Sequence, residues 1–361
     1  MKCLWEFDSD HAMQIVETSL GDLGKVSKSV IQTPYSRVFT IDGGPNRFPR
    51  YLVAKAPWFE VDGKFNRLEK FVHEAEQTVK IVGHPFLHRF GKLRYVQSVP
   101  FLISAKRDGT LEDVLAGPRL DQKEVLVIAI QIARGLGYCQ HVGLIAHQDL
   151  KPANIFVDDL AAKFGPDVSF KSLARVADFE LSNAYLDLGK ASGSRPYMSP
   201  EQHLAESNSQ GALIDFSRAD TFSFGVVLHE LLTDGFHPVG EKTSDIWPSQ
   251  MPGKEKWKRS TPWTHWIKSG SPLKHPLGEI STTLRELICN CLSTTPSDRP
   301  KIGDVEKSLW DELARVSPEA HRGMEAATRA LEEGLFDESG AEWPGGEAIL
   351  KNLRQSFANR E

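Results

Sequence analysis

Midway along the chain, His147-Gln148-Asp149-Leu150-Lys151-Pro152-Ala153-Asn154 packs an acid, a base and an amide into one short stretch. Apolar runs flank it, Gly143-Leu144-Ile145-Ala146 before and Ile155-Phe156-Val157-Asp158 after, so buried flanks would hold the loop while its polar groups project. Asp149 can orient a hydroxyl and accept its proton. Lys151 can neutralise a transferring phosphoryl group, and Asn154 offers a neutral oxygen to a divalent ion. Downstream, Arg175-Val176-Ala177-Asp178-Phe179 puts a second carboxylate at a strand end, where Asp178 would complete a magnesium site with Asn154. Upstream, Lys55 ends a strand and can pair phosphate oxygens if a helix carboxylate fixes its ammonium. Glu74 and Glu76 both stand on the next helix.

The elements that would carry these residues follow from periodicity. Lys25–Gln32, Ser36–Asp42 and Arg50–Ala56 have alternating or β-branched apolar positions, with Asp42-Gly43-Gly44-Pro45-Asn46 as the turn between the second and third. This reads as a three-strand meander. Leu68 to Val82 carries a helical stripe at Val72, Ala75, Val79 and Val82, ended by Gly83 and Pro85. Residues 94–99 and 100–104 read as two more strands. From Thr110 onward helices dominate, the longest being Glu124–Gly143. A small strand-rich part followed by a larger helical part predicts an α+β chain of two lobes with a ligand cleft.

Composition bounds the function. At 361 residues the chain can bury a large core without disulfide or metal staples, and 40% hydrophobic with 25% charged residues is the globular average. Lys+Arg 43 against Asp+Glu 48 gives a net charge of -5, which supplies no field for polyanions and argues against a nucleic-acid partner. Met1 to Glu17 lacks the apolar core of a secretory signal, and no stretch reaches the ~20 apolar residues of a membrane span. Cys3, Cys139, Cys289 and Cys291 have no metal-ligand spacing, so a reducing, cytoplasmic setting with buried thiols is the expectation.

Taken in order, these motifs resemble the eukaryotic-type serine/threonine protein kinase family over roughly residues 25 to 312. His147 to Asn154 resembles the catalytic loop, Leu52-Val53-Ala54-Lys55 the phosphate-anchoring strand and Asp178-Phe179-Glu180 the magnesium-binding triplet. Gly193 to Glu201 is similar to the end of the activation segment, Asp220 to Gly225 to the start of the central helix of the large lobe, and Asp298-Arg299-Pro300 to the partner of Glu201. The resemblance implies a bilobal kinase fold, with an N-lobe over 25–103 and a C-lobe over 104–315. Residues 1–24 would be a lead-in and 316–361 a C-terminal helical extension. It implies ATP and Mg2+, with Mn2+ as an alternative metal, and a protein substrate accepting on Ser or Thr, as Lys151 with Ser194 before Pro196-Tyr197-Met198 resembles that class.

By residue, the resemblance makes Asp149, Lys151 and Asn154 catalytic, Asn154 and Asp178 metal ligands, and Lys55 and Glu74 the phosphate anchor. Glu74 fits the family's spacing from Phe71 better than Glu76 does. Ile103 would form the deep wall of the nucleotide pocket, and Ser104-Ala105-Lys106 the hinge whose backbone reads adenine. Glu201, Asp220 and Arg299 would be structural, as an ion pair and a loop-anchoring carboxylate. Three departures stand out. Ile31 to Val38 has none of the glycines of a phosphate-cradling loop, Glu180 replaces the glycine of the triplet, and Gln148 replaces an arginine that grips a phosphorylated segment. Gly21 to Gly24 lies too far upstream to be the missing loop and reads as a strand lead-in. The lost glycines make a pseudokinase scaffold the alternative reading. Trp247, Trp257, Trp263 and Trp266 within 241–276, or the C-terminal extension, would serve protein docking.

Overall fold

The protein is described by a computed structural model over residues 4, 8–32, 36–47, 49–57, 66–81, 84–97, 99–165, 167–168, 170–182, 193–207, 215–247 and 261–333. It divides into two compact units: the first takes in residues 1–83 and 89–106, the second residues 84–88 and 107–332.

The first unit is a five-stranded antiparallel sheet in the order β1-β2-β3-β5-β4. Its strands are β1 (Lys25–Gln32), β2 (Ser36–Asp42), β3 (Tyr51–Pro57), β4 (Lys92–Val96) and β5 (Val99–Ala105). The break between the last two falls at Gln97, which takes the left-handed φ of 46°, and not between residues 99 and 100. Lys55 sits inside β3 and does not end it.

A helix absent from the sequence expectation, α1 (Ser9–Ser19), covers one face of this sheet. Asp8 caps it by accepting from the His11 N–H, and Ala12, Val16 and Leu20, four residues apart, join Phe39, Ile41, Ala54, Phe101 and Ile103 in one core. Gly21 to Gly24 form the turn into β1. At Gly24 a Cβ would stand 2.3 Å from the Asp42 carbonyl, so the close approach of the two chains requires glycine. The second helix, α2 (Asn66–Lys80), buries Phe71, Glu74, Ala75 and Thr78; of the expected stripe Ala75 is buried, Val72 is half-buried, and the Val79 and Val82 side chains lie outside the described residues, while Phe71 and Ala75 pack with Phe90 and Leu102.

The second unit is mainly helical. A small sheet of β6 (Gly109–Thr110), β7 (Ile155–Asp159) and β8 (Ser172–Val176) leads from α3 (Leu111–Leu115), the long α4 (Gln122–His141) and α5 (Leu160–Phe164). Next come α6 (Pro200–Ser207), α7 (Ala219–Leu232), α8 (Thr243–Ile246), α9 (Thr261–Lys268), α10 (Thr282–Cys291), α11 (Ile302–Val316) and α12 (Pro318–Glu332). Every residue of α7 is buried, as befits an element at the centre of a domain, and its polar members Asp220, Ser223 and Glu230 are each hydrogen-bonded there. Trp263 and Trp266 are fully buried beside it, so they are core residues and present nothing to a partner; Trp257 lies outside the described residues. Cys139 and Cys291 are buried thiols, and burial pushes the Cys291 thiol up to about 12. Among the described residues no helix is long and apolar enough to cross a membrane.

The start of the C-terminal extension docks back on this unit. Ala320, Met324 and Thr328, four apart on α12, are buried against α4 and α11, with Met324 Sδ 3.8 Å from Gln131 Nε2. At the end of α12, Glu332 accepts both arms of Arg134, at 2.6 and 2.9 Å. Met324→Ala is expected to cost about 3 kcal/mol in a denaturant titration, from lost burial and the cavity left. Glu332→Gln should cost under ~1 kcal/mol, as that pair is a third exposed. Equal effects would show that charge and not packing seats the helix.

Buried titratable groups set an expected pH optimum of stability. Burial lowers the His84 and His203 pKa values to about 4 and that of His237 to about 3, whereas burial raises Glu230 to about 8. Each histidine is neutral when folded and protonates near 6.5 when unfolded, so its stabilisation is lost as pH falls below 6.5. Glu230 acts oppositely: it is protonated in the fold up to about 8 and only to 4.5 when unfolded, so stability rises as pH drops through 8. His229, also lowered by burial, adds to the histidines and Asp220, raised by burial, adds to Glu230, so the histidines outnumber the carboxyls below their midpoint. A maximum of thermal stability near pH 6.5 is expected in a melting series, and a melting temperature that still climbs towards pH 5 would contradict it.

Candidate active site

The loop from His147 to Asn154 is held from behind by α7. Asp220, in its first turn, accepts the backbone N–H of His147 at 2.7 Å and of Gln148 at 3.1 Å, and burial raises its pKa. The His147 ring accepts the Asp149 N–H on Nδ1, so Nε2 carries the proton and donates to the Ala177 carbonyl at 2.9 Å. Gln148 adopts φ 67°, a left-handed conformation that turns the chain sharply before Asp149.

Beyond that turn the polar side chains converge. Asp149 Oδ2 accepts from Lys151 Nζ at 2.6 Å and from Asn154 Nδ2 at 3.2 Å, while its Oδ1 accepts the Ser194 N–H at 2.7 Å. Lys151 also donates to Ser194 Oγ at 2.8 Å. Burial works against the Lys151 ammonium, but the Asp149 carboxylate, with Asp178 and Glu112 behind it, outweighs that and raises its pKa. The ammonium is therefore charged throughout the physiological range. A 3-10 turn, Pro152–Asn154, aims the Asn154 amide back at Asp149, and the β7–β8 ladder then brings Asp178 alongside, since Ala177 N–H donates to the Asn154 carbonyl at 2.9 Å.

Asp178 shows the properties of a cation ligand. Its φ is 65°, an uncommon and mildly strained conformation for a non-glycine residue, and its Oδ1 is buried with no hydrogen-bond partner among the described residues. Asn154 spends its Nδ2 on Asp149, which leaves Oδ1 as its acceptor. One carboxylate and one amide oxygen fit Mg2+, which keeps waters and takes phosphate oxygens for the rest of its shell. The side chain of Glu180 lies outside the described residues.

On the first unit, Lys55 Nζ meets both oxygens of Glu74, at 2.7 and 2.6 Å, and Glu74 is buried. Glu76, two residues further on, is half-buried. The register corrects the placement of Ile103. It pairs with Ala54, and both belong to the core under α1; Lys55 pairs with Leu102, which packs on α2. Side chains alternate along a strand, so the face that carries Lys55 carries Val53, Leu102 and Ser104, and Ile103 is on the opposite face. Lys106 N–H donates to the Tyr51 carbonyl at 2.9 Å, so by the same alternation the backbone groups of Ala105 project to the opposite edge, past the end of β4. Thr33, Pro34 and Tyr35, between β1 and β2, lie outside the described residues.

Contacts around the site that spacing does not reveal involve Gln202 and Glu230, together with Gln148 and Gly193. Gln148 donates from Nε2 to the Leu181 carbonyl at 3.0 Å, a neutral link where an arginine was expected to wait for a phosphate, and Gln202 Nε2 donates to the Gln148 carbonyl at 2.8 Å. Gly193 opens the Ser194 segment because a Cβ there would stand 2.6 Å from that same carbonyl. Beside Lys151 and Ser194 lies a cavity of about 400 Å3, walled by Glu112, Tyr197, Glu230, Thr243 and Trp247. Glu230 is buried and accepts the hydroxyls of Tyr197 and Thr243. Long-range contacts of this kind leave no local pattern for a sequence reading to use.

The second unit thus carries a catalytic-type loop with an adjoining strand-borne carboxylate, and the first unit by itself carries a buried Lys–Glu pair. The protein kinase domain family matches residues 60–310, and the chain belongs to it; its two units have the α+β make-up of the bilobal kinase fold. Among curated proteins it is similar to a brassinosteroid LRR receptor kinase of Oryza sativa, 26% identical over 76% of this chain and 25% of the relative. It is 27% identical to a protein kinase and PP2C-like domain-containing protein of Arabidopsis thaliana, over 82% of this chain and 44% of the other. Serine/threonine-protein kinase A of Synechocystis is 25% identical over 66% and 43% respectively. The chain thus spans between a quarter and somewhat under half of the length of these relatives.

Proposed function

We propose that this chain is an ATP-dependent serine/threonine protein kinase, moving the γ-phosphoryl of ATP to a hydroxyl of a protein substrate. The observation that supports it most is the convergence of Ser194 N–H, Lys151 Nζ and Asn154 Nδ2 on the Asp149 carboxylate. That network fixes one carboxylate where it can orient an acceptor hydroxyl. In this reading the hydroxyl oxygen forms the new P–O bond, its proton passes to Asp149, and ADP leaves with the electrons of the broken bond. Lys151 stabilises charge on the phosphoryl oxygens. Lys55, held by Glu74, takes phosphate oxygens, the Ala105 backbone reads adenine, and Asn154 with Asp178 would hold Mg2+. When bound, the metal neutralises phosphate charge as a Lewis acid. The Lys151–Ser194 bond and the serine/threonine kinases among the relatives favour Ser or Thr as acceptor.

The pseudokinase reading is motivated by the missing glycines of residues 31–38 and by Glu180. Radiolabelled ATP with degenerate serine/threonine and tyrosine peptide libraries, in Mg2+ and in Mn2+ and beside Asp149→Asn, separates the two. Transfer well above the variant is the expected result. A nucleotide-induced thermal shift with no transfer above it would install the pseudokinase reading instead, and label found only on tyrosine peptides would overturn the acceptor assignment.

A further inference from the structure

His237 follows α7 in the turn Asp234-Gly235-Phe236-His237-Pro238-Val239-Gly240, outside the hydrogen bonds that converge on Asp149. It is fully buried. Its Nδ1 accepts the Val239 N–H at 2.9 Å, which fixes the proton on Nε2, and Nε2 donates to the Pro196 carbonyl at 2.8 Å. Its ring sits edge-on to Trp263 and Trp266, with centroids 4.6 and 4.8 Å away, and its own N–H donates to the Glu241 carbonyl at 2.9 Å. Both ring nitrogens are thus engaged, and the ring is locked in one orientation by tryptophans that are themselves immobilised in the core.

The carbonyl it grips belongs to the segment that reaches Asp149. Tyr197 N–H and Met198 N–H both donate to the Ser194 carbonyl, at 2.8 and 3.2 Å, so Ser194 to Met198 is one tight turn. One side of the turn gives its Ser194 N–H to Asp149 and its Ser194 Oγ to Lys151. The other side is pinned to α7 by Ser223 Oγ on the Tyr197 carbonyl at 2.7 Å and by Tyr197 on Glu230. Between them stands Pro196, which has no N–H of its own, so its carbonyl is its one backbone hook. The Pro196–Tyr197 peptide carries both the carbonyl that His237 holds and the Tyr197 N–H that closes the turn on Ser194, so rotating it would break that closing bond.

We infer that His237 is a positioning residue for phosphotransfer: by holding the Pro196 carbonyl it fixes the turn that sets Ser194 against Asp149 and Lys151, and so fixes where the peptide substrate presents its hydroxyl. This rests on the kinase reading, because a peptide substrate is what the turn would position. The role is separable from packing. Phenylalanine fills the same space between the tryptophans without either ring hydrogen bond, whereas glutamine keeps an N–H near the place of Nε2.

The test compares His237→Phe and His237→Gln with the unaltered full chain, by peptide kinetics, by ATP binding and by amide hydrogen exchange. His237→Phe is expected to lower kcat/KM for the peptide about tenfold with the ATP dissociation constant unchanged within twofold, and His237→Gln to recover most of the loss. It should also speed exchange at the Ser194 and Tyr197 amides at least tenfold, with residues 52–55 and 71–78 unchanged. Phosphotransfer and exchange both unaltered by His237→Phe would overturn the assignment. So would a glutamine variant as impaired as the phenylalanine one with ATP binding lost in parallel, since that is the signature of general unfolding. If the unaltered protein transfers no phosphate, the kinase reading fails, and the exchange arm still decides whether His237 holds the turn. Should His237→Phe not fold, His237→Gln against His237→Leu provides the same contrast.

Discussion

Replacing Asp149 by asparagine is expected to lower phosphoryl transfer to peptide by about a thousandfold while leaving ATP binding within about twofold. The substitution is nearly isosteric, so its effect is chemical. A carboxylate here has acceptor capacity on both oxygens, and three donors use it: Ser194 N–H, Lys151 Nζ and Asn154 Nδ2. An amide supplies one acceptor oxygen and an NH2 group. Whichever way it is oriented, the NH2 faces either the Ser194 N–H or the Lys151 ammonium, donor against donor. The variant thus loses the proton acceptor and also frees one arm of the network that positions substrate. The Lys151 pKa should fall as well, because the Asp149 carboxylate is the chief group raising it against the effect of burial. Lys55, Glu74 and Asp178 are untouched, which is why nucleotide affinity should hold. Steady-state kinetics with peptide, beside ATP titration by thermal shift, measures both halves. A loss below about tenfold would remove Asp149 from the role of base.

Sequence and structure parted company for reasons that particular residues make plain. The loop from His147 to Asn154 was legible because each of its functional residues lies within one turn of its neighbours, so spacing alone encodes geometry. The Lys55–Glu74 pair was legible as a choice between two carboxylates, and helical rotation settled it: Glu74 faces inward with Ala75, and Glu76 is half-buried further round. Ile103 was misplaced because strand parity cannot be read until register is known; a shift of one residue exchanges the two faces, and only pairing with β3 shows that Ile103 lies under α1. The helix α1 carried a capping Asp8 and apolar residues four apart, a readable signal in a stretch whose composition looked merely polar. His237, Gln202 and Glu230 had no such signal. Their partners Pro196, Gln148 and Tyr197 lie 41, 54 and 33 positions away, and a buried hydrogen bond at that separation leaves nothing periodic behind.

Arg299→Met is expected to be the most destabilising single substitution considered, lowering stability by about 3–5 kcal/mol and the melting temperature by roughly 10 °C. The guanidinium is fully buried and grips both oxygens of Glu201, at 2.6 and 2.8 Å; its Nε donates to the Ser293 carbonyl at 2.7 Å, and it lies 5.1 Å from the Phe222 ring centroid. Removing it strands the Glu201 carboxylate, which is itself buried, without a counter-charge. The cost is therefore mostly the penalty on the partner left behind, and that makes a sharp further expectation. In Glu201→Leu/Arg299→Met no charge is stranded, and more than half of the lost stability should return, although the bonds to Ser293 and the stacking on Phe222 stay lost. Additive single effects in that double-mutant cycle would mean that the pair is not energetically coupled. The consequence for the site follows from where Glu201 lies. It opens α6 directly before Gln202, whose amide holds the Gln148 carbonyl, and Ser199 N–H closes back on the Gln202 side chain at 3.0 Å. Loosening Glu201 by deleting Arg299 should thus raise hydrogen exchange at Gln202 and Gln148 before the rest of the unit opens. The same experiment on Glu332→Gln, which also weakens an ion pair, should leave those two amides unchanged, because that pair seats α12 and its bonds among the described residues run to α4.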